Sequence, residues 1–367
     1  MKQIYLDNAS TTRVRPAVAK AMQEIMLKNY GNPSSSHALG EEALHLITQA
    51  RTTLATSLHA RPAELVFTSG ATESNALALF GLAGRYPAKK KLIISAFEHS
   101  SIVAVCEMLR QWSYEIVEIP VNHEGMLDLH ALEQELTADT LVVSVIHGHN
   151  ELGVVQDIKQ IARLCKEKRV FFHTDAVQSF GKVKIDVRWG IDLLSISAHK
   201  LQGPKGVGAL YVRTGIALKP LLPGSQEAGR RGGTENMPGI VGFGKAVTLL
   251  KKNHTKIVRL QQTFERALAG LGGIITCTKS IRLPGHTHVS FPDTDAEQVA
   301  IALSLKGVYC STRSACLTHQ SHDNRVLQAM GMSASLQKGS LRFVLSDEIT
   351  QADLQKVIAL LKELLHV

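Results

Sequence analysis

The sequence predicts an α/β protein that combines a large domain, built on a mostly parallel seven-stranded sheet, with a smaller α+β domain. With 367 residues the chain is longer than a single small domain, since domains average roughly 150 residues. Short apolar runs alternate with helical patterns between residues 65 and 213, which is typical of strand–helix–strand units. Beyond residue 213 the pattern changes to a Gly/Pro-rich loop, followed by helices mixed with short strands.

Seven runs define the predicted sheet, and several are apolar almost throughout, as expected for strands buried on both faces. The runs are Leu65–Thr68, Leu92–Ser95, Glu115–Ile119, Leu141–His147, Val170–Thr174, Leu193–Ser197 and Gly208–Val212. Helical patterns before and between them lie at Pro16–Leu27, Thr72–Leu82, Ser100–Trp112, Leu129–Leu136 and Asp157–Lys168.

The segment Lys219–Gly239 clusters Gly and Pro and has no periodic pattern, which indicates a functional or disordered loop. One long helix is predicted over Ile240–Leu271, because Pro238 stands where a helix can begin. Strands at Thr287–Phe291 and Leu341–Val344 then alternate with helices at Ala296–Leu305, Asp323–Met330 and Gln351–Leu365. We therefore predict a large domain over residues 13–239 and a small domain over 240–367 together with 1–12.

The composition excludes several protein classes. With 44% hydrophobic and 20% charged residues and a mean hydropathy of +0.02, the chain is neither disordered nor membrane-spanning. The N-terminus reaches Asp7 before any signal-like apolar segment develops, so we expect a cytoplasmic protein. The net charge of +9 favours anionic partners, but the cations are scattered and aromatic residues make up 5%. We therefore do not expect direct nucleic-acid binding.

The five cysteines also argue against a disulfide framework or a structural zinc module, because they include no CxxC pair and no regular spacing. Cys106, Cys165 and Cys277 are interpreted as small buried residues, and Cys310 as structural. One thiol could be catalytic, and composition alone does not identify it.

Two residues at the ends of predicted strands point to a common crevice. Asp175 and Lys200 each stand where a buried strand runs out, and ligands of open α/β sheets bind at that edge. A lysine after a strand is commonly a solvated loop residue, but Lys200 is followed by the stiff turn Gly203–Gly206. A lysine that forms a Schiff base and an aspartate that pairs with a protonated ring nitrogen meet the requirements of pyridoxal phosphate.

A phosphate site is predicted where the first strand of the sheet ends. The segment Phe67–Asn75 reads FTSGATESN and places Gly and small polar residues at the start of a helix. Such a helix terminus binds phosphate through backbone N–H groups and the helix dipole. Taken alone, the segment could be only a helix cap, but together with Asp175 and Lys200 it favours a phosphate cradle.

The chain resembles the class I cysteine desulfurases (NifS/IscS-like), which are fold-type I pyridoxal-phosphate enzymes of the aminotransferase class V family. The resemblance covers essentially the whole chain, with motifs in the same order. These motifs are Tyr5–Asn8, Thr11-Thr12, Gly31–Ser35, Phe67–Ser74, Glu98-His99, Asn150–Gly153, Asp175–Ser179, Ser197–Gly206, Ser314–Cys316 and Leu341–Phe343.

The resemblance implies a role for each matching residue. Lys200 would hold the cofactor and move the α-proton, Asp175 would keep the ring nitrogen protonated, and His99 would stack on the ring and join acid–base steps. Gln178 would hydrogen-bond the phenolic oxygen of the ring. The phosphate would be held by Ala71, Thr72, Ser197 and His199, with Thr234 reaching the phosphate of the neighbouring subunit in a homodimer, and the substrate carboxylate would lie near Asn32, Asn150 and Arg342.

Cys316 determines the reaction that the resemblance implies. Its surroundings, Ser311–Asp323, are polar and loop-like, so the thiol is expected to be exposed and reactive. In the family this cysteine takes the sulfur of L-cysteine as a persulfide and leaves L-alanine, and a sulfur-acceptor protein then receives the sulfur. Cys316, His319 and His322 also form a C-x2-H-x2-H string, but we predict no metal site, because three ligands on one loop lack a fixed partner set.

The sequence departs from the family pattern at several positions. Arg313 stands where the family usually has Gly, Ala76 and His149 replace Asn residues, and Val344 replaces Ser. The segment Pro223–Glu227 replaces a Gly-rich one. We hypothesise that Arg313 lowers the pKa of the Cys316 thiol or contacts an acidic acceptor.

These observations predict a homodimeric, pyridoxal-phosphate-dependent cysteine desulfurase without a membrane partner. A selenocysteine lyase or another aminotransferase-like enzyme is the alternative on the same fold, and a basic scaffold or RNA-associated protein is the non-enzymatic alternative. Iron–sulfur cluster assembly, tRNA thiolation and DNA phosphorothioation are all open as the pathway that receives the sulfur.

Overall fold

The computed structural model describes residues 2–251, 253–312 and 325–366. Its strands are β1 (Ile4–Tyr5), β2 (Leu65–Thr68), β3 (Lys91–Ser95), β4 (Glu115–Ile119), β5 (Thr140–Ser144), β6 (Phe171–Asp175), β7 (Leu193–Ser197), β8 (Gly208–Val212), β9 (Ile274–Ile275), β10 (His286–Ser290), β11 (Val308–Tyr309) and β12 (Ser340–Val344). Its α-helices are α1 (Pro16–Lys28), α2 (Ala38–Leu58), α3 (Ala71–Arg85), α4 (Ser100–Gln111), α5 (Leu129–Glu135), α6 (Ile158–Glu167), α7 (Met237–Thr248), α8 (Thr255–Gly270), α9 (Ala296–Leu305), α10 (Arg325–Ala329), α11 (Ala334–Lys338) and α12 (Gln351–Leu364).

The large sheet has seven strands in the order β2-β8-β7-β6-β5-β3-β4. All of them run parallel except β8, which is antiparallel to both β2 and β7. The seven predicted runs form these seven strands with shifts of a few residues at their ends. The predicted α/β fold with a mostly parallel seven-stranded sheet is therefore confirmed.

Helices cover both faces of this sheet, which explains why its central strands are apolar on both sides. One hydrophobic cluster joins one face to α2, α6 and α7. A second cluster joins the opposite face to α3 and α4. The strands are thereby buried, and the polar side chains that end them are left at the edges of the sheet.

The helices differ from the sequence prediction in several places. The single helix expected over Ile240–Leu271 is wrong, because α7 ends at Thr248 and α8 begins at Thr255. The break is stabilised by the Asn253 side chain, whose Oδ1 accepts hydrogen bonds from the backbone N and from Oγ1 of Thr255 at 2.8 and 2.6 Å. Two helices were not predicted from the sequence at all, namely α2, which has 21 residues, and the short α11.

The C-terminal part forms a separate apolar cluster around a three-stranded antiparallel sheet in the order β12-β10-β9. The N-terminal strand β1 pairs with β11, and Ile4 and Leu6 belong to this cluster. Ile240 and Phe243 of α7 instead belong to the cluster of the large sheet. The division into residues 13–239 and 240–367 with 1–12 stays a prediction. Within the described ranges, no helix is both long and apolar enough to cross a membrane.

Candidate active site

A cavity of about 390 Å³ lies at the edge of the large sheet where β2, β6 and β7 end. These three strands point the same way, because β8 is antiparallel to both β2 and β7, and β6 is parallel to β7. The residues that follow them therefore meet at one edge. The cavity brings together ten of the predicted site residues, namely Ala71, Thr72, His99, Asn150, Asp175, Gln178, Ser197, His199, Lys200 and Arg342.

Asp175 ends β6 and is a buried carboxylate, with 3% of its surface exposed. Its Oδ2 accepts a hydrogen bond from Asn75 Nδ2 at 2.8 Å, and its Oδ1 accepts one from the backbone N of Val177 at 3.0 Å. Among the described residues, no cationic side chain forms an ion pair with it. Since a buried charge requires an oppositely charged partner, this carboxylate suits a positively charged nitrogen on a bound molecule.

Lys200 and Gln178 meet at the N-terminal segment of the chain. Lys200 Nζ donates to the carbonyl oxygens of Ala9 and Ser10, the latter at 2.8 Å, and Gln178 Nε2 donates to Ala9 O at 2.7 Å. Lys182 Nζ donates to Gln178 Oε1 at 3.4 Å from the other side. These contacts fix the orientation of the Gln178 amide and hold Lys200 at the cavity wall.

The start of α3 provides an anion cradle at one end of the cavity. Gly70 is the N-cap residue, and the cavity is lined there by Ala71 and Thr72. Backbone N–H groups in the first turn of a helix have no partner within the helix, so they are available to an anion. Ser197 and Lys205 line the same cavity and add a hydroxyl and a positive charge.

His199 lies beside this cradle as a neutral ring. Burial, together with the nearby charges of Lys200 and Lys205, lowers the pKa of His199 to about 4. Its Nδ1 lies 3.1 Å from Thr11 Oγ1. At neutral pH the side chain would therefore contact an anion as a hydrogen-bonding partner and not as a cation.

His99 is connected to Asp175 through two intervening side chains. It is the N-cap residue of α4, and its Nδ1 accepts a hydrogen bond from the backbone N of Ser101 at 3.2 Å. Because Nδ1 is an acceptor, the neutral ring carries its proton on Nε2. Ser101 Oγ lies 2.8 Å from His99 Nδ1 and accepts a hydrogen bond from Asn75 Nδ2 at 3.0 Å. Asn75 thereby links the supports of the histidine and the aspartate.

Glu98 lies next to His99 and is buried beneath the cavity. Its Oε1 accepts hydrogen bonds from the Ser95 hydroxyl and from the backbone N of Ile146, the latter at 2.8 Å. Burial, reinforced by the charge of Asp175, raises the pKa of Glu98 to about 8 despite these hydrogen bonds. Glu98 is therefore mostly protonated at neutral pH and contributes little negative charge.

Arg342 enters the cavity from β12 and is held at several atoms. One terminal nitrogen donates to Asp7 Oδ1 at 2.7 Å and to Ser10 Oγ at 2.8 Å, and the other donates to Asn150 O at 3.1 Å. No group in the described part of the chain accepts a hydrogen bond from the buried Nε atom. The guanidinium is thus oriented by both the N-terminal segment and the turn that carries Asn150.

Other predicted residues lie away from this cavity. Asn32 is exposed, and its Oδ1 accepts a hydrogen bond from the backbone N of Ser34. Thr234 lines an adjacent cavity of about 100 Å³, which shares Ser69 and Gly206 with the first. Cys316, Arg313, His319 and His322 fall outside the described residues. Within the described part of the chain, no group of His, Cys, Asp and Glu is placed to hold a metal ion.

The other cysteines are poor candidates for a reactive thiol. Cys106, Cys165 and Cys277 are buried. Burial raises the pKa of the Cys106 and Cys277 thiols to about 12, and it raises that of Cys165 further. Cys310 is partly buried, and its pKa is also raised to about 12, mainly by burial and then by Asp7. These thiols stay protonated at neutral pH, whereas the reactive form is the thiolate.

The sequence reasoning missed the supporting residues of the cavity. Asn75, Ser10 and Lys205 lie in quoted motifs or next to them, but received no role. Lys205 could have been found from its place between Pro204 and Gly206 in the turn after Lys200. The contacts of Asn75 and Ser10 join residues 100 and 190 positions apart, so no local pattern reports them.

The chain is similar in sequence and in fold to several known proteins. The model of the family described as aminotransferase class-V matches residues 4–357. A curated relative from Dictyoglomus turgidum, cysteine desulfurase IscS, is 38% identical over 376 aligned positions, which cover 100% of this chain and 95% of the relative. A solved NifS-like protein superposes with a TM-score of 0.94 at 33% identity, and all of both chains is covered. The structure titled SspA in complex with cysteine superposes with a TM-score of 0.86 at 35% identity, covering 94% of this chain and 99% of that one.

Proposed function

Because this chain belongs to the aminotransferase class-V family, we propose that Lys200, His99 and Cys316 carry its reaction, with the sulfur of L-cysteine passing to Cys316. The chain is a pyridoxal 5′-phosphate-dependent cysteine desulfurase, in keeping with full-length relatives of that name. The observation that carries the assignment of the cavity residues is that Lys200 lies in one cavity with Asp175, a buried carboxylate without a cationic partner among the described residues.

The residues of the cavity fit pyridoxal phosphate. Asp175 is a buried carboxylate without a cationic partner among the described residues, so it would hold a protonated pyridine nitrogen. The phosphate would lie on the first turn of α3, near Ala71, Thr72, Ser197 and His199, and Gln178 would donate a hydrogen bond to the phenolic oxygen. When bound, the cofactor supplies an electron sink for the bonds broken at the substrate.

Lys200 and His99 would move the protons of the reaction. The Lys200 amine reaches the cavity from the end of β7 and would remove the proton from Cα of the substrate. His99 carries its ring proton on Nε2, because Nδ1 accepts from Ser101. We assign to His99 the stacking contact with the ring and a proton transfer at the substrate.

The thiolate form of Cys316 would accept the sulfur atom of the substrate. Its Sγ attacks the sulfur of the bound substrate, so an S–S bond forms as the bond between Cβ and sulfur breaks. The electron pair of the broken bond stays with the carbon skeleton, which takes up protons and leaves as L-alanine. The enzyme retains a persulfide on Cys316 until an acceptor thiol removes it.

The substrate carboxylate would bind at Arg342 and Asn150. A guanidinium binds a carboxylate through two parallel hydrogen bonds. Arg342 is held in place by Asp7 and by Asn150 O. The substrate carboxylate would replace Asp7 as acceptor of part of the hydrogen bonds from the Arg342 guanidinium. Asn32 is a third candidate from the sequence, although it is exposed within one subunit.

The protein would work as a homodimer in the cytoplasm and deliver sulfur to an acceptor protein. Thr234, which lies in the adjacent cavity, would reach the phosphate bound by the neighbouring subunit. A reducing compartment would keep the Cys316 thiol available. Iron–sulfur cluster assembly, the pathway suggested by relatives named IscS, and tRNA thiolation are the candidate uses of the sulfur.

A comparison of two neighbouring cysteines tests the assignment. With L-cysteine and a reducing thiol, the purified holoenzyme should form alanine and sulfide in equal amounts. Cys316→Ser should lower both rates by at least about 10³-fold, as expected for loss of a covalent nucleophile. Cys310→Ser is the matched control and should keep most of the activity. Sulfide release at the full rate by Cys316→Ser would refute the role of Cys316, and transamination without sulfide by the unchanged protein would favour an aminotransferase-like enzyme.

A further inference from the structure

A second large cavity lies at the opposite edge of the seven-stranded sheet. It has a volume of about 660 Å³ and is formed where β2, β6 and β7 begin and β8 ends. The same four strands therefore have the catalytic cavity at one end and this basic groove at the other, separated by roughly 15 Å of strand. We use the term basic groove for this cavity, whose cationic lining residues are His59, Arg61, Lys166, Arg169, Arg188 and Arg213.

Three of the arginines in the basic groove are held in fixed orientations by carboxylates. Arg213 Nε lies 2.6 Å from Asp192 Oδ1, and Arg188 binds Asp186 through Nε at 2.8 Å and a terminal nitrogen at 2.6 Å. Arg61 lies 3.3 Å from Glu64. Each of these arginines has further N–H groups, because a guanidinium carries five donors.

The carboxylates of Glu64 and Asp186 stay charged at neutral pH, so Arg61 and Arg188 stay oriented, whereas burial raises the pKa of Asp192, the partner of Arg213. Burial alone would raise the pKa of Glu64, but backbone hydrogen bonds from Arg61 and Thr214 lower it to about 2. The hydrogen bonds from the Arg188 side chain lower the pKa of Asp186. Guanidinium groups that are already ordered lose little conformational entropy when a ligand binds to them.

Lys166 and Arg169 supply the charge that these carboxylates do not balance. Both are exposed, line the groove and have no carboxylate partner among the described residues. The five Arg and Lys side chains face three carboxylates, those of Glu64, Asp186 and Asp192, which leaves an excess of two positive charges. The charged rim surrounds an apolar floor that includes Val170 and Val187.

We propose that the basic groove is a binding site for a small phosphate-bearing ligand that carries at least two negative charges. Arginine forks match the oxygen geometry of phosphate, and the volume lies in the range of small-molecule sites. A nucleic-acid strand fits less well, because Tyr211 of the groove is 3% exposed and the half-buried ring of Phe171 lies 5.1 Å from the ring of Tyr86. These aromatic residues offer no open platform on which bases could stack. This site is independent of the proposed desulfurase reaction.

Calorimetric titration of the holoenzyme with inorganic triphosphate at low ionic strength tests the site. In the holoenzyme, freed of excess pyridoxal phosphate, the bound cofactor fills the catalytic cavity, and its absorbance should not change as triphosphate binds. The double variant Lys166→Ser/Arg169→Ser should bind triphosphate at least about tenfold more weakly, a loss typical of charge-assisted hydrogen bonds. These two residues are suitable because their removal leaves the three ion pairs of the groove intact.

The double variant Lys356→Ser/Lys362→Ser is the matched control. It removes the same charge from exposed positions on α12, and it should bind triphosphate like the unchanged enzyme. The proposal is overturned if the unchanged enzyme binds no triphosphate, or if both double variants lose affinity equally. It is also overturned if a short RNA or a polyglutamate peptide binds in a Lys166/Arg169-dependent way while triphosphate does not.

Discussion

His149 joins two loops that each carry a residue of the catalytic cavity. Its Nε2 donates to Phe97 O at 3.0 Å, which ties it to the loop that ends in His99. Its Nδ1 accepts from the backbone N atoms of Glu151 and Leu152 at 3.2 Å, which closes the turn that carries Asn150. Burial lowers the pKa of His149 to about 3, so the neutral ring keeps one donor and one acceptor at all ordinary pH values.

Replacing His149 with Asn, the usual family residue, should therefore affect substrate binding. The shorter side chain can still accept from the turn but cannot reach Phe97 O, and a buried carbonyl loses its partner at a cost of about 1–3 kcal/mol. We expect the KM for L-cysteine to rise severalfold, because Asn150 and its contact to Arg342 become less well ordered. The increase should be constant between pH 6 and 9, since the ring in the unchanged enzyme does not titrate there.

His173 provides the matched control for this measurement. It is also a buried histidine, with Nδ1 2.8 Å from Ser144 Oγ and Nε2 3.0 Å from Ser195 Oγ, but it does not line the cavity. His173→Asn should lower the unfolding temperature without changing KM. Equal changes of KM in both variants would show that His149 contributes only to stability.

A site residue could be predicted where a short stretch of sequence marks it, and not where its contact joins distant parts of the chain. Lys200, Asp175 and the start of α3 could be identified because polar residues interrupt apolar runs at the ends of strands. The Ala9 carbonyl accepts hydrogen bonds from both Lys200 and Gln178, and this contact could not be predicted. That contact depends on how the N-terminal segment folds back across the end of the sheet.

At the level of secondary-structure elements, the phosphate cradle depends on a close approach between β8 and the loop before α3. A Cβ atom on Gly208 would lie 2.8 Å from Cα and C of Gly70 and 2.8 Å from Ile196 O. These atoms belong to the backbone and cannot move aside as a side chain would. Gly208 therefore sets the position of the anion-binding turn relative to the sheet.

Gly208→Ala should weaken pyridoxal phosphate binding by about tenfold, because the turn that precedes α3 must shift. Overpacking of this kind also costs about 1–3 kcal/mol of stability. Titration of the apoenzyme with pyridoxal phosphate, followed by absorbance, measures the affinity. Gly270→Ala is the control, since a Cβ there meets no atom of the described residues within 4 Å, and it should leave the affinity unchanged. Equal cofactor affinity in both variants would contradict the role of this contact.

The strands were easier to predict than the helices, for a physical reason. Strands buried on both faces are short apolar runs, which stand out in the sequence. In helix α2 the buried residues are spaced three or four positions apart and separated by polar residues, as in Ala43, Ile47, Ala50 and Leu54. This helical periodicity was not recognised in the sequence. The break between α7 and α8 depends on the side-chain hydrogen bonds of Asn253, which interrupt an otherwise continuous helical pattern.

At the level of the whole molecule, an apolar surface lies around the end of α1 and the start of α2. Met26, Leu27, Tyr30, Leu39 and Leu44 are exposed there. Asn29 Nδ2 donates to Glu42 Oε1 at 2.5 Å and holds the two helices together at this place. Contiguous exposed apolar surface is typical of subunit interfaces, and this surface adjoins Asn32, a substrate-site candidate that does not line the cavity of its own subunit.

We expect this surface to be the contact between two copies of the chain, arranged around a twofold axis as in most homo-oligomers. Leu27→Glu/Leu44→Glu would bury unpaired charges at the contact, so sedimentation velocity should show a shift from dimer to monomer. Desulfurase activity should fall with it, because Thr234 would no longer reach the phosphate of the neighbouring subunit. Ile301→Glu/Leu305→Glu, at exposed positions on α9, should leave the dimer intact. A dimer that survives the first double variant, or dissociates in the second, would place the interface elsewhere.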